Sequence, residues 1–256
     1  MKFIDSHAHL EYNDFKEDFD AMLDRATSSH IAFIMNIGTT LEHSEKGIAL
    51  AKRYPFIFAS VGVHPHEVQS LPPDYLQRLE YLAMDPNVKA IGEIGLDYFY
   101  KHSDPEVQRK CFKEQVLLAQ KLNLPLSIHS REAFADIFKL LKDVGTPKPR
   151  GVFHCFTGTA EEAKTALELG FFISISGIIT FKKTFELQKV VQGLPLNKLL
   201  IETDCPFLTP EPYRGKRNEP AYVVKTAEKI AALKQIPLEE VAEITTHNAI
   251  LLFNLY

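Results

Sequence analysis

His7 and His9 stand two residues apart in the run Asp5-Ser6-His7-Ala8-His9. The residues before that run, Met1-Lys2-Phe3-Ile4, have the character of a strand. Alternate side chains of a strand leave by one face, so the two imidazoles project side by side with Asp5 one pleat below. Imidazoles paired in this way are half of a transition-metal site. The competing reading is a strand whose histidines are simply buried or exposed, and ligands from elsewhere in the chain must decide between the two.

Strand-like and helix-like segments alternate from end to end. Strand-type runs are predicted at Ile31–Ile37, Phe56–Val61, Val88–Glu93, Leu124–His129, Gly151–His154, Phe171–Ser176 and Lys198–Asp204. Phe15, Phe19, Met22, Leu23 and Ala26 mark one face of a helix. Further helices are predicted over Glu42–Arg53, Asp74–Ala83, Pro105–Leu122, the segment carrying Phe134 to Leu141, the stretch from Thr159 to Gly170, Lys183–Gln192, Ala221–Ala232 and Leu238–Phe253. Asp104 before Pro105, Ser130, and the Thr159/Glu162 capping box supply helix starts; Gly170 supplies a stop. Pro147-Lys148-Pro149 marks a loop. Eight β/α units, with no linker or low-complexity tract, predict an α/β fold: a closed (β/α)8 TIM barrel over residues 1–256 as a single domain. A doubly wound open sheet is the alternative, weakened by the lack of a GxGxxG turn after the first strand.

Composition narrows the partners. The net charge of -4 gives no overall nucleic-acid footprint, so an acidic polymer would need a local basic patch. Cys111, Cys155 and Cys205 have no CxxC spacing, which points to a reducing compartment rather than a disulfide framework or a zinc ribbon. The start of the chain has no signal-peptide pattern, and the least polar stretch, Gly170–Phe181, is too short to span a bilayer. The expectation is a soluble cytoplasmic protein with no membrane partner and no obligate protein partner.

A barrel of this kind carries its active site at the carboxyl ends of its strands. The predicted strand ends supply His7 and His9, His64 and His66, Glu93, His129, His154, and Glu202 with Asp204. Six of the ten histidines fall there, whereas His30, His43, His102 and His247 do not. That concentration favours metal binding. His7, His9, Glu93, His129, His154 and Asp204 exceed what one catalytic ion needs, and two ions ~3.5–4 Å apart would use all six. Glu93 is the expected bridge between an ion on His7, His9 and Asp204 and an ion on His129 and His154. The mixed N/O set suits zinc, manganese or iron and admits magnesium.

The expected chemistry is attack by a water that the two ions deprotonate, with Asp204 taking or shuttling its proton and Glu93 holding the pair. His64 either contacts a substrate oxygen or the leaving group, or is simply hydrogen-bonded beside Pro65. Asp5 either backs a ligand histidine or is a polar residue of the barrel core. His66 is expected in solvent. Cys155 and Cys205 are expected to point away from the centre as buried thiols. Arg214, Lys216 and Arg217, on the loop after the last strand, are candidates for holding phosphate; the plainer reading is a solvated loop with arginine paired to Glu211 or Glu219. Lys182-Lys183 is a second basic pair. Tyr98-Phe99-Tyr100 either stacks bases or packs.

Asp5-Ser-His-Ala-His-Leu10, Gly62-Val-His-Pro-His66, Ala90-Ile-Gly-Glu-Ile-Gly-Leu-Asp97, Leu124-Pro-Leu-Ser-Ile-His129, His154-Cys-Phe156, Ile201-Glu-Thr-Asp-Cys-Pro206 and Tyr213-Arg-Gly-Lys-Arg-Asn-Glu-Pro220 occur in that order. Together they resemble the TatD family of metal-dependent deoxyribonucleases, a branch of the amidohydrolase-like barrels. The resemblance implies a TIM barrel, two divalent ions and hydrolysis of phosphodiester bonds in DNA, as a 3′→5′ exonuclease preferring single strands, with RNA left open. The implied ligands fall on His7, His9, Glu93, His129, His154 and Asp204. Many members of the wider superfamily bridge their metals with a carbamylated lysine. Here Lys89 lies four residues before Glu93, near the other mouth of the barrel, so a carbamate bridge is not expected. A hydrolase of a small phosphoester, cyclic amide or lactone is the alternative activity, and a non-enzymatic metal scaffold or nucleic-acid-binding module is the third reading.

Overall fold

The computed structural model describes residues 1–100, 102–148 and 150–255; Pro149 of the predicted Pro147–Pro149 loop lies outside the described residues. Eight strands form the sheet: β1 Phe3–Ala8, β2 Ile31–Ile37, β3 Ile57–Val61, β4 Val88–Asp97, β5 Leu126–Arg131, β6 Gly151–Phe153, β7 Phe172–Ile175 and β8 Leu199–Ile201. Each pairs in parallel with its neighbour in sequence, in the order β1 to β8. A parallel bridge between Ala8 and Cys205 joins the two edges. The Asp204 N–H donates to the His7 carbonyl at 2.9 Å and the His9 N–H to the Cys205 carbonyl at 2.9 Å. The sheet is therefore a (β/α)8 TIM barrel, and two expected metal ligands, His7 and Asp204, sit on its closing seam.

The helices are α1 Phe19–Ser28, α2 Leu41–Arg53, α3 Tyr75–Leu82, α4 Pro105–Leu122, α5 Phe134–Val144, α6 Ala160–Glu168, α7 Phe185–Gly193, α8 Val223–Lys234 and α9 Leu238–Phe253. Asp104 caps α4 ahead of Pro105, Thr159 and Glu162 form the capping box of α6, and Gly170 follows α6 with a φ of 86°. Ser130 does not cap α5. β5 runs on through it to Arg131, and the Ser130 hydroxyl is buried without a partner among the described residues. Outside the barrel wall, Phe134, Phe138, Phe153, Phe156 and Phe171 pack ring against ring.

Ile4, Met35, Ala90, Val152 and Leu200 form one cluster although they come from β1, β2, β4, β6 and β8. Residues from non-neighbouring strands meet in this way only inside the barrel. Ala249, Leu252 and Phe253 of α9 join them. Ile4 and Ala90 lie early in their strands, and Val152 and Leu200 precede the strand ends that carry the site residues, so α9 closes the amino end and leaves the carboxyl end open. Among the described residues no helix is long and apolar enough to cross a membrane.

β4 departs from the sequence reading by running four residues beyond Glu93. Its register against β5 shifts between Ile91 and Ile94, then resumes at Ile94↔Ile128, Gly95↔His129, Leu96↔Ser130 and Asp97↔Arg131. The irregularity re-aims side chains as a bulge does. Glycine is required on both sides of it: a Cβ at Gly92 would strike Ser127, and one at Gly95 would strike the His129 carbonyl.

The loop after β8 is tied to the first helix by charge. Arg217 holds Asp18 through Nη1 at 2.6 Å and Nη2 at 2.9 Å, and Arg25 bridges Asp18 and Glu219 at 2.8 and 2.7 Å. Hydrogen bonds from Arg217 and then Arg25 hold the Asp18 carboxyl well below its ordinary range. A depressed carboxyl stabilises the fold above the unfolded pKa of ~3.9, and that contribution fades as pH falls toward the folded value. Asp18→Asn should therefore cost about 1 kcal/mol near neutral pH, the scale of a partly exposed ion-pair network. Urea midpoints of variant and wild type should converge as the pH is lowered below ~4. Equal midpoints at neutral pH would contradict the assignment.

Candidate active site

The carboxyl ends of the strands bring His7, His9, His64, Glu93, His129, His154 and Asp204 together at the open mouth. His7 and Glu93 are buried, and Asp204 is nearly so. The two oxygens of Glu93 face different neighbours. Oε2 lies 3.4 Å from His7 Nε2 and 3.7 Å from His9 Nε2. Oε1 lies 2.8 Å from His154 Nε2, 3.1 Å from His129 Nδ1 and 3.4 Å from His64 Nε2. Asp204 Oδ1 completes the first group, 3.7 Å from His7 Nε2 and 3.4 Å from His9 Nε2. Asp204 reaches inward from a left-handed backbone, φ 59°, just past β8.

The ring partners show which nitrogens carry protons. His9 Nδ1 is 2.9 Å from the Ile37 carbonyl, which only accepts, so Nδ1 donates and the neutral ring presents a lone pair at Nε2. His129 Nε2 is 3.1 Å from Asp97 Oδ2, leaving its Nδ1 lone pair toward Glu93. His7 Nε2 and His9 Nε2 are 3.2 Å apart. With the rings neutral, lone pairs and carboxylates converge here, and a cation would satisfy them together. A tetrahedral ion with bonds of ~2.0–2.2 Å has donor–donor edges of about 3.4 Å. The spacings within the first group, 3.2 to 3.7 Å, fit that shell.

His64 differs from the other rings. Its Nδ1 accepts the His66 backbone N–H at 3.1 Å, so the neutral ring carries its proton on Nε2. Burial lowers its pKa to about 4 and keeps it neutral at physiological pH. It is a hydrogen-bond donor beside the ligand set. Burial alone would raise the Glu93 carboxyl, but the imidazoles, His154 foremost, hold it well below the ordinary range. Burial opposes charge on His9 too, yet Asp204 and Glu93 pull it up to about 9. Protons and metal ions therefore compete for the same nitrogens.

Further groups back these residues. Asp97 is buried; its Oδ2 takes both His129 Nε2 and His66 Nε2, the latter at 2.8 Å. His66 is thus not simply in solvent, because Asp97 holds its ring. Among the described residues Asp5 makes no hydrogen bond to a candidate ligand ring, though it accepts the His7 backbone N–H at 3.3 Å. Its carboxylate accepts the Thr203 N–H at 2.9 Å and the Thr203 hydroxyl, and so fixes the residue before Asp204. Burial pushes the Asp5 carboxyl up to about 8. Glu202 Oε1 accepts the Cys155 N–H at 2.6 Å and lies 3.5 Å from His154 Nδ1. Cys205 is fully buried, as expected, but Cys155 lines the cleft. Its φ of 43° turns it out of strand alternation. Burial and the nearby carboxylates push its thiol well above the usual range, which leaves it protonated and a poor nucleophile.

The cleft over this centre measures about 1010 Å³. Arg214, Lys216 and Arg217 are not among its lining residues. Arg217 is committed to Asp18 and also lies 3.6 Å from Glu219, one of the two partners considered from sequence, and Arg214 donates to the Thr209 carbonyl at 3.0 Å. Tyr98 packs, its hydroxyl donating to Asp136 at 2.6 Å, whereas Phe99 and Tyr100 reach the cleft.

A parallel barrel that gathers imidazoles and carboxylates at its carboxyl mouth has the make-up of a metal-dependent hydrolase. A family profile described as TatD related DNase matches residues 4–254. The chain is 40% identical over 252 residues to the uncharacterized metal-dependent hydrolase YabD of Bacillus subtilis, covering 98% of this chain and 99% of that one. It is 33% identical over 256 residues to the 3'-5' ssDNA/RNA exonuclease TatD of Salmonella typhimurium, with 98% of each covered. The crystal structure of YjjV, a TatD homologue from Escherichia coli K12, superposes with a TM-score of 0.94 at 31% identity and 98% coverage of both chains. The chain belongs to the TatD family of metal-dependent hydrolases.

A divalent ion that binds only the folded state must stabilise it. At a hundredfold excess over Kd the gain is about 2.7 kcal/mol, or several degrees in Tm for a chain of this size. Thermal denaturation with and without manganese should show that rise in the wild type and little of it in Glu93→Ala. An equal rise in both proteins would remove Glu93 from the ligand set.

Proposed function

We propose that this protein is a phosphodiesterase of nucleic-acid ends that works with two divalent ions, magnesium, manganese or zinc, shared through Glu93. The observation that carries the reading is one buried carboxylate whose two oxygens face separate groups of donor atoms. His7, His9 and Asp204 would hold one ion with Oε2, and His129 and His154 the other with Oε1. The ions, when bound, supply Lewis acidity that lowers the pKa of water and offsets charge on phosphoryl oxygens.

The chain's own groups do the rest. Asp204 faces the first set of ligands, and hydrogen bonding from His9 holds it ionised against its burial. It takes the proton of the attacking water and passes it to solvent through the open mouth. His64 donates its Nε2 proton toward a non-bridging or leaving oxygen, which a neutral buried ring does without adding charge. Glu93 fixes the spacing of the two halves. Arg214 and Lys216 hold phosphates further along the strand, while Arg217 braces their loop. The similarity to a 3'-5' ssDNA/RNA exonuclease supports single-stranded DNA, and RNA by the same chemistry, as substrate, attacked from the 3′ end. Free cysteines at 111, 155 and 205 suit work in the cytoplasm.

The test is cleavage of 3′- and 5′-labelled single-stranded oligonucleotides by metal-loaded protein, beside cyclic amide and lactone substrates. Nucleotides should leave one at a time from the 3′ end, and Asp204→Asn should lower kcat by roughly 10²- to 10⁴-fold. Turnover of the amide or lactone with no phosphodiester cleavage would overturn the proposal.

A further inference from the structure

We propose that Phe99, Tyr100 and Arg131 form a subsite that stacks a nucleobase of the strand being cleaved; the subsite rests on the nucleic-acid reading above. All three line the cleft. Phe99 and Tyr100 are large rings left half-exposed, at 50% and 51%. They meet edge to face, with centroids 4.9 Å apart. The Arg131 guanidinium lies over both, 4.4 Å from the Phe99 centroid and 4.8 Å from that of Tyr100. Exposed aromatic faces beside a cation are what a base and its phosphate find together on single-strand binding surfaces.

Arg131 differs from Arg217 on the loop after β8. Arg217 spends its donors on Asp18 and the Asp14 carbonyl. Arg131 has no carboxylate within ion-pairing distance among the described residues. Its charge faces a cleft whose natural occupant, on the reading above, is a polyanion.

The platform is also held in register with the chemistry. Asp97 Oδ1 accepts the backbone N–H groups of Phe99 at 3.0 Å and Tyr100 at 2.9 Å. Its Oδ2 accepts His129 Nε2, and His129 Nδ1 faces Glu93. One buried carboxylate thus positions the two rings and a ligand imidazole. In the backbone register of β4 against β5, Arg131 stands opposite Asp97. A base on the rings lies at a fixed offset from the reacting phosphate, within the few nucleotides that this cleft can hold.

The test pairs a protein change with a substrate change. Phe99→Leu/Tyr100→Leu keeps apolar bulk at two exposed positions but removes both π faces. Wild type and this variant are given oligonucleotides with a normal base, or a base-free residue, at each of the three nucleotides nearest the 3′ end. At one position, loss of the base should lower wild-type kcat/KM by roughly 5- to 100-fold, the span of one base–aromatic stack. The variant should show a similar loss on the normal strand and little further loss when that base is removed. Phe99→Tyr/Tyr100→Phe, which keeps both π faces, should restore the wild-type pattern. A base-removal penalty of the same size in wild type and variant, or no penalty at any position, overturns the subsite while leaving the nuclease standing. Failure of the wild type to cleave any oligonucleotide overturns the nuclease reading, and the subsite with it.

Discussion

Glu93 is a buried anion ringed by imidazoles. An ionised carboxylate away from water costs several kcal/mol unless positive charge compensates it. In their neutral forms His9 and His129 spend their ring protons on the Ile37 carbonyl and on Asp97 and turn lone pairs to Glu93, so among His9, His64 and His129 only His64 directs a ring proton toward it. On the function proposed above, cations on both sides of the carboxylate supply that compensation. The polarity of the rings follows that constraint: His9 and His129 aim lone pairs inward and ring protons outward, and His64 has the opposite polarity and a donor's role.

The barrel supplies the geometry at two places. At the seam, closure of β1 onto the end of β8 sets Asp204 against His7 and His9, and the fully buried Asp5 locks Thr203 in place. In β4, the register shift beside Glu93 lets a strand end deliver two functional carboxylates, Glu93 and Asp97, four residues apart. Gly92 and Gly95 make that bend possible, since β5 leaves no room for a Cβ at either. α9 plugs the opposite end with apolar side chains, so the polar chemistry is confined to one mouth.

Much of this was legible in the sequence. Strand alternation, together with the rule that barrel sites lie at carboxyl ends, selected the residues that the structure gathers around Glu93. What escaped has identifiable physical causes. Asp97 was passed over as a functional group because a period of two cannot be counted across a bulge, and with it went the partner that keeps His66 and His129 in place. Cys155 was put on the wrong face because its backbone turns left-handed directly after β6. Arg217 reaches Glu219, a neighbour the sequence offers, but its shorter contacts go to Asp18, 199 residues away, and no local pattern announces so distant an ion pair. The split of Tyr98 from Phe99 and Tyr100, one packed and two exposed, depends on where α4 and α5 come to lie.

The most direct measurement is the anomalous scattering of manganese in crystals of the protein. Two peaks about 3.5–4 Å apart, bridged by the two oxygens of Glu93, are the predicted result. A single peak, or two peaks with Glu93 bound to only one, would contradict the account.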